Sequence, residues 1–427
     1  MLKICYNTCC GIDVHKKMLV ATIATTNEQK VTTYQTKQFS TFTKDIKKLK
    51  QWLIDNNCKD VCMESTGKYW IPIFNILEDE FNVIIANPKY IKAVKGKKTD
   101  KKDSIWITDL FKHDLCPQSF IPPKSTRCLR ELLRYRFKLV NMSASEKQRI
   151  QNSLTISNIS LDSVLSDLFG KSASNILDYI LSLDKPEDFN EEIIYSLLLG
   201  KTKSKSDDII TSIKGFSIPE STISKIKTSR KHLDSIKDTI NDIDLEVDKL
   251  INSEYRSYVD LTMTIPGISD TAAKIIVSEI GIDMSVFPSS KKLCNWAGLT
   301  PQNNESAGKK KSTRVSRAGI YLKPTLVQCA NAAIKSTKEP YFRNKYLKLK
   351  KRRGHKKAII AIARMMLTCI YKMFQTGETF NPIDINYSDI PNNVLESKRE
   401  QIIDNAINTL SKLGIDTSIL NLNPTNN

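Results

Sequence analysis

The 427-residue chain is short of glycine and histidine, and each shortage removes a class of chemistry. Its 14 glycines form no G-x-G cluster. The Gly-rich loops that cradle nucleotide phosphates are therefore missing, and an actin-like nucleotide binder is set aside. Four histidines and ten scattered cysteines, with no C-x-x-C pair, argue against a zinc site. Dispersed thiols suit a reducing compartment, so a cytoplasmic protein is expected. The start, MLKICYNTCC, lacks the long apolar segment of a secretory signal. The most apolar run, AIIAIARMMLTCIYKMF (358–374), is broken by Arg364 and Lys372. A buried or DNA-backing helix is expected there, and no membrane association. No internal repeat is visible.

What the chain has in excess is positive charge, a formal +19 with a pI near 9.3. A polyanionic partner is the leading expectation. AT-rich coding can inflate lysine, so location carries more weight than the total. Residues 305–357 hold 17 lysines and arginines against Glu305 and Glu339 alone. That concentration points to nucleic acid.

Residues 9–40 read as three β-branched strands bounded by turn residues: CCGIDVH, KMLVATIAT and KVTTYQTKQFS. A helix follows over TFTKDIKKLKQWLIDNN, with Ile46, Leu49, Leu53 and Ile54 on one face. Strand KDVCME, helix KYWIPIFNILEDE, strand NVIIANP and a helix opening near Thr99 complete the order βββαβαβα. That is the order of an RNase H/RuvC-like fold, assigned here to residues 1–122. From about 126 the pattern turns helical, with Leu129, Leu132, Leu133, Phe137 and Val140 in one stripe. Residues 156–216 read as an insert of short helices. Ser217 and Glu220 offer a capping box. Beyond it Ile226, Leu233, Ile240 and Val247 form a heptad stripe with Ile236, Ile243 and Leu250, interrupted by Ser229. This suggests a coiled-coil arm between subunits, with packing inside the chain as the alternative. The fold class expected is thus α/β followed by α: a helical and coiled-coil middle (123–257), a mainly helical C-terminal domain (258–385), and a tail (386–427) with one helix.

The chemistry concentrates on acids. Asp13 ends the first strand in GIDVHK, and Glu64 ends the fourth in CMESTG. Those strands are neighbours in the expected order. In GKKTDKKDSIW, Asp100 and Asp103 share one helical face among Lys97, Lys98, Lys101 and Lys102. Four converging carboxylates need cations, and hard oxygen ligands suit Mg²⁺, as two ions or one shared site. The lysines would hold a phosphate backbone while the acids hold the metal that reaches it. Taken singly, a strand-end aspartate is commonly a turn residue, and a D-x-x-D pair a solvated face.

In the second half, MTIPGISDTAAKIIVSEIG (263–281) reads as a helix-hairpin-helix, whose turn at Gly267 would offer N–H donors to a phosphate. A plain helical hairpin is the alternative. Next, Ser306 lies between Glu305 and Ala307-Gly308, just before Lys309, Lys310, Lys311, Arg314 and Arg317. Small neighbours would expose its hydroxyl, and the cations could stabilise phosphoryl charge. Ser312 and Ser316 compete for that role.

The motifs GIDVHK, MESTGKYW, NPKYIKAVKGKKTDKKDS, TIPGISDTAA, NWAGLTPQNNESAGKKKSTRVSRAG and YLKPTL together resemble the IS110/IS1111-type transposases, the bridge-RNA-guided DEDD recombinases. The likeness covers about residues 8–115 and 258–375. It implies that Asp13, Glu64, Asp100 and Asp103 are the four RuvC-like metal-binding carboxylates and Ser306 the catalytic serine. It further implies strand cleavage through a phosphoserine link, strand exchange and religation. The implied partners are donor and target double-stranded DNA, a non-coding bridge RNA, and further copies of the chain. Dimers would assemble to a tetramer in which one subunit's carboxylates meet another's serine. The family's glycine after the serine is Ala307 here. Two other readings stay open: a hydrolytic RuvC-like endonuclease, and a nucleic-acid-binding protein without catalysis.

Overall fold

The computed structural model describes residues 2–65, 67–91, 99–183, 185–301, 304–306, 309–312, 314–382 and 384, with Ile403 and Ile407. For 89, 90, 304–306 and 309–311 it describes the main chain only. The helix expected in the tail, and Lys97 and Lys98, lie outside the described residues. The chain divides into two compact units, Met1–Pro122 and Pro123–Asn427. No break occurs at the expected 257 boundary, because helix continues through it.

In the first unit, strands β1 (Thr8–Val14), β2 (Met18–Thr26) and β3 (Thr32–Ser40) form an antiparallel meander. Helix α1 (Thr43–Asp55) leads to β4 (Asp60–Glu64), and α2 (Trp70–Leu77) to β5 (Asn82–Ala86). Short α3 (Pro88–Ile91) and then α4 (Asp100–Lys112) follow. The sheet order is β3-β2-β1-β4-β5, with β4 parallel to both β1 and β5. Both sheet faces are covered, which is why β1 and β2 read as nearly continuous apolar runs. On one face Cys10, Ile12, Val61 and Met63 pack against Leu49 and Leu53 of α1 and Ile73 and Leu77 of α2. On the other, Cys9, Ala24, Cys62 and Ile84 pack against Ile107 and Phe111 of α4. Ile54, expected on the buried face of α1, is exposed, and Trp52 takes that place. The wide indole reaches Phe39 of β3.

Among the described residues, the second unit is helical apart from one hairpin. Helix α5 (Lys124–Thr155) precedes an insert with α6 (Lys171–Ile180), α7 (Glu191–Leu197) and α8 (Ser206–Ile213). Then come α9 (Glu220–Leu250), a π-helical turn (Ile251–Tyr255), α10 (Arg256–Met263), α11 (Asp270–Ile280) and α12 (Ser290–Trp296). Strands β6 (Asn304–Ser306) and β7 (Lys309–Ser312) form the hairpin. Helices α13 (Leu322–Ala333), α14 (Tyr341–Arg353) and α15 (His355–Thr376) close the unit.

Three expectations change here. First, the heptad stripe of α9 packs inside its own chain. Ile226 and Leu233 enter the insert's core beside Ile150 and Leu154 of α5. Arg136 of α5 grips Asp244 of α9 with two hydrogen bonds of 2.5 and 2.9 Å. The stripe is occupied because α5 offers a complementary face just as long. Second, Leu129 and Leu133 of the expected α5 stripe are buried, Leu139 is buried with them, and Val140 is exposed. Third, α9 starts at Glu220 with Pro219 as N-cap and no side-chain cap, so no capping box forms. Ser217 is held instead by its N–H on the Ser157 carbonyl, 3.1 Å away. Helix α15 is long and apolar enough to cross a membrane. Ile362, Met366, Leu367 and Ile370 are nonetheless fully buried within this unit, so it serves as a core helix.

Candidate active site

Strand register brings the first two acids together. Ile12 pairs with Met63, so Asp13 and Glu64 stand side by side one residue further on, on strands about 4.8 Å apart. Alternation fixes the face. Asp13 follows the parity of Cys9, and Glu64 that of Cys62, both on the side covered by α4.

Helix α4 can lie close because β1 carries Gly11. A Cβ there would sit 2.5 Å from both the Thr108 amide nitrogen and its Oγ1, and 2.9 Å from the Ser104 carbonyl. In its absence the Gly11 N–H donates to Thr108 Oγ1 at 3.0 Å, and Thr108 Oγ1 donates to the Ser104 carbonyl at 2.7 Å. Ser104 Oγ meets Thr22 Oγ1 of β2 at 2.7 Å. These buried hydroxyls occupy the i+4 rungs above Asp100, so docking them points the first turn of α4 at the end of β1. Thr99 caps that turn by accepting from the Lys102 N–H. Asp100 and Asp103 sit in it, where the helix dipole favours negative charge. Lys101 and Lys102 are exposed.

One member of the cluster was not expected. His15, just past β1, places Nε2 3.1 Å from Asp13 Oδ2 and 3.3 Å from Asp100 Oδ1. Asp13, His15 and Asp100 each offer a ligand atom within 4.8 Å of the other two. The signal for His15 was present in GIDVHK, two residues after the first aspartate. Asp13 is only 6% exposed. Burial pushes its carboxyl above the usual aspartate range; His15 opposes this, and Asp103 and Asp100 add to it. The structure thus joins Asp13 to Asp100 within ligand reach, sets Glu64 beside Asp13 by register, and keeps Asp103 close enough to act on Asp13's charge. Two carboxylate oxygens and an imidazole nitrogen, one of them deeply buried among like charges, fit a divalent cation.

The second unit carries the expected serine on its hairpin. Ser306 is the last residue of β6 and pairs with Lys309 of β7; Glu305 pairs with Lys310. The hairpin's base is closed by a bridge between Pro301 and Val315. Behind it, two glycine turns interlock. A Cβ on Gly298 would lie 2.6 Å from the Ala318 carbonyl oxygen, and one on Gly319 2.3 Å from that of Ala297. The motifs NWAGLTP and VSRAG are therefore the two halves of one mount for the serine strand. Arg314 and Arg317 are exposed beside it. Gly267 lies at a tight turn that packs on α13. It takes a positive φ in a turn closed by the Ile268 N–H on the Ile265 carbonyl, and its missing Cβ would lie 2.6 Å from the Ala333 nitrogen of α13. Packing requires a glycine there whether or not the turn also meets phosphate. Arg256 of α10 and Lys274 of α11 are paired with Asp260, Asp270 and Asp248.

Two transposase family models match the chain. One, of the DEDD IS110 type and described as Transposase, covers residues 10–159; the other, described as Transposase IS116/IS110/IS902 family, covers residues 259–347. Two curated relatives are similar over 156 residues at 30% identity, the pilin gene-inverting proteins of Moraxella bovis and Moraxella lacunata. The match takes in 34% of this chain and 46% of each relative, so the chain spans about half the length of the curated relatives it matches. The first model contains the carboxylate cluster and the second contains the serine hairpin, and with both in one polypeptide the chain belongs to the IS110 family of transposases.

Proposed function

We propose that the protein is a DNA transposase or recombinase that cuts and rejoins strands through a serine-linked intermediate, using an N-terminal unit of RNase H/RuvC-like fold. The carrying observation is the meeting of Asp13 and Asp100 around His15, beside Glu64 in register, on the face that α4 covers. Asp13, Glu64, Asp100 and Asp103 would hold Mg²⁺. When bound, such an ion offsets charge on the scissile phosphate and lowers the barrier to displacement. The chain's own groups do the rest. Ser306 attacks phosphorus through its hydroxyl oxygen as the P–O bond to the leaving strand breaks, and the serine proton ends on that departing oxygen. The phosphoserine ester conserves the bond's free energy, so rejoining by the reverse displacement needs no nucleotide cofactor. Lys309, Lys310, Lys311, Arg314 and Arg317 supply positive charge for the phosphoryl group, and Lys97, Lys98, Lys101 and Lys102 for the backbone alongside.

The relatives' printed name speaks of inverting a pilin gene; for this chain we infer DNA rearrangement with another target. An RNA guide and a tetramer with composite sites complete the proposal. Recombination between plasmid sites is the test. Asp13→Asn and Ser306→Ala should each abolish it, and Ser306→Ala should also remove any covalent protein–DNA adduct. Cleavage that persists in Ser306→Ala would instead mark a hydrolytic nuclease. Mixing the two inactive variants should restore partial recombination, as composite sites require. Sequencing RNA that co-purifies with the protein tests the guide.

A further inference from the structure

Several cations in the second unit are neutralised by neighbours. Arg134 holds Glu279, Arg136 holds Asp244, Arg230 holds Asp178, and Lys345 holds Asp384. The corner between α14 and α15 is different. Helices α14 and α15 are joined by Gly354 alone, at φ +76°. Across that joint Lys348, Lys351, Arg352, Arg353, Lys356 and Lys357 are all exposed. Among the described residues, none of the six is paired with a carboxylate. The joint is held from beneath: Phe342, Ala358 and Ile359 are buried, and Tyr346 Oη lies 2.8 Å from His355 Nδ1. The charged side therefore has a firm backing. Two of its lysines, Lys356 and Lys357, also stand in the first turn of α15, where a helix favours acids and this one has none. With exposed Lys350, seven like charges fall within ten residues, and they repel one another unless a dense counter-charge lies across them.

We propose that this α14–α15 corner is a docking surface for the phosphate backbone of double-stranded DNA, read without regard to sequence. It lies almost wholly beyond residue 347, where the second family match ends. DNA is the favoured occupant because the family acts on DNA and because a duplex supplies about one negative charge per 1.7 Å of axis. Base edges are not implicated, since lysine and arginine on an open corner meet phosphates first.

The test uses the full chain and a 30-base-pair duplex of arbitrary sequence, with affinity measured against salt. Changing Lys351, Arg352, Arg353 and Lys356 to Gln should weaken binding uniformly across sequences and reduce the slope of log K against log salt by about 3 to 4, at about 0.9 per lost phosphate contact. An equal charge removed from exposed lysines elsewhere, Lys171, Lys225, Lys227 and Lys231 to Gln, should leave most of that slope intact. Unfolding curves matching the parent's establish that both variants are folded. An unchanged slope in the first variant, or an equal fall in both, would overturn the proposal. So would a fall seen with an RNA hairpin and not with duplex DNA. The measurement is independent of the cleavage chemistry, because it needs neither Asp13 nor Ser306.

Discussion

At the scale of single residues, two side chains and one missing side chain set the site. Gly11 is a packing requirement, and adding one methyl should test it. Gly11→Ala forces carbon to within 2.5 Å of the Thr108 main chain, so chemical denaturation should show a loss of about 3 kcal/mol, the upper end for an overpacked core. Metal affinity should fall with it as α4 is pushed off. Asp13 behaves in the opposite sense. Its carboxyl, raised by burial, binds its proton more tightly folded than unfolded. Its contribution to stability is therefore present in acid and lost as pH rises through the folded pKa. In chelator at neutral pH, Asp13→Asn should raise Tm while abolishing divalent-ion binding; a lowered Tm would contradict the burial argument. Acidification should also weaken metal binding at a higher pH than an ordinary aspartate would, as a titration across pH would show. His15, bridging Asp13 and Asp100, offsets part of that repulsion in the metal-free protein.

At the scale of elements, the long helices show why a heptad does not name its partner. The apolar seam of α9 could close on another chain or on α5, and the seam itself is the same in both cases. Here α5 lies against it, and the insert caps its start. Leu233, 3% exposed, is the probe. Leu233→Ala should lower stability by about 2–5 kcal/mol, as buried leucine truncations do, and leave the particle mass from light scattering unchanged. A lighter particle at unaltered stability would return the seam to an intersubunit role. A second contact anchors α5 to α11: Arg134 forms two hydrogen bonds of 2.7 and 2.8 Å with buried Glu279, and Arg130 donates to the Ser278 and Glu279 carbonyls. Removing Arg134 would leave a buried charge without its partner, at a cost of about 3–5 kcal/mol.

At the scale of the whole molecule, each unit has its own core, so residues 1–122 expressed alone should fold and unfold cooperatively. They should bind a divalent cation without forming a DNA adduct, since Ser306 lies in the other unit. Scrambled circular dichroism from that fragment would contradict the two-unit division. The sequence by itself determined the strand meander, the acids at strand ends, the helix beginning at Thr99 and the two family motifs. These follow from local rules: β-branched alternation, capping chemistry and fixed spacing. Tertiary structure alone decided that His15 joins Asp13 and Asp100, that Ser104 and Thr108 seat α4 on Gly11, that Gly267 packs on α13, and that the α9 seam is filled by α5. Each depends on contacts between residues far apart in the chain, and such contacts are selected by shape and burial, which no short window of sequence records.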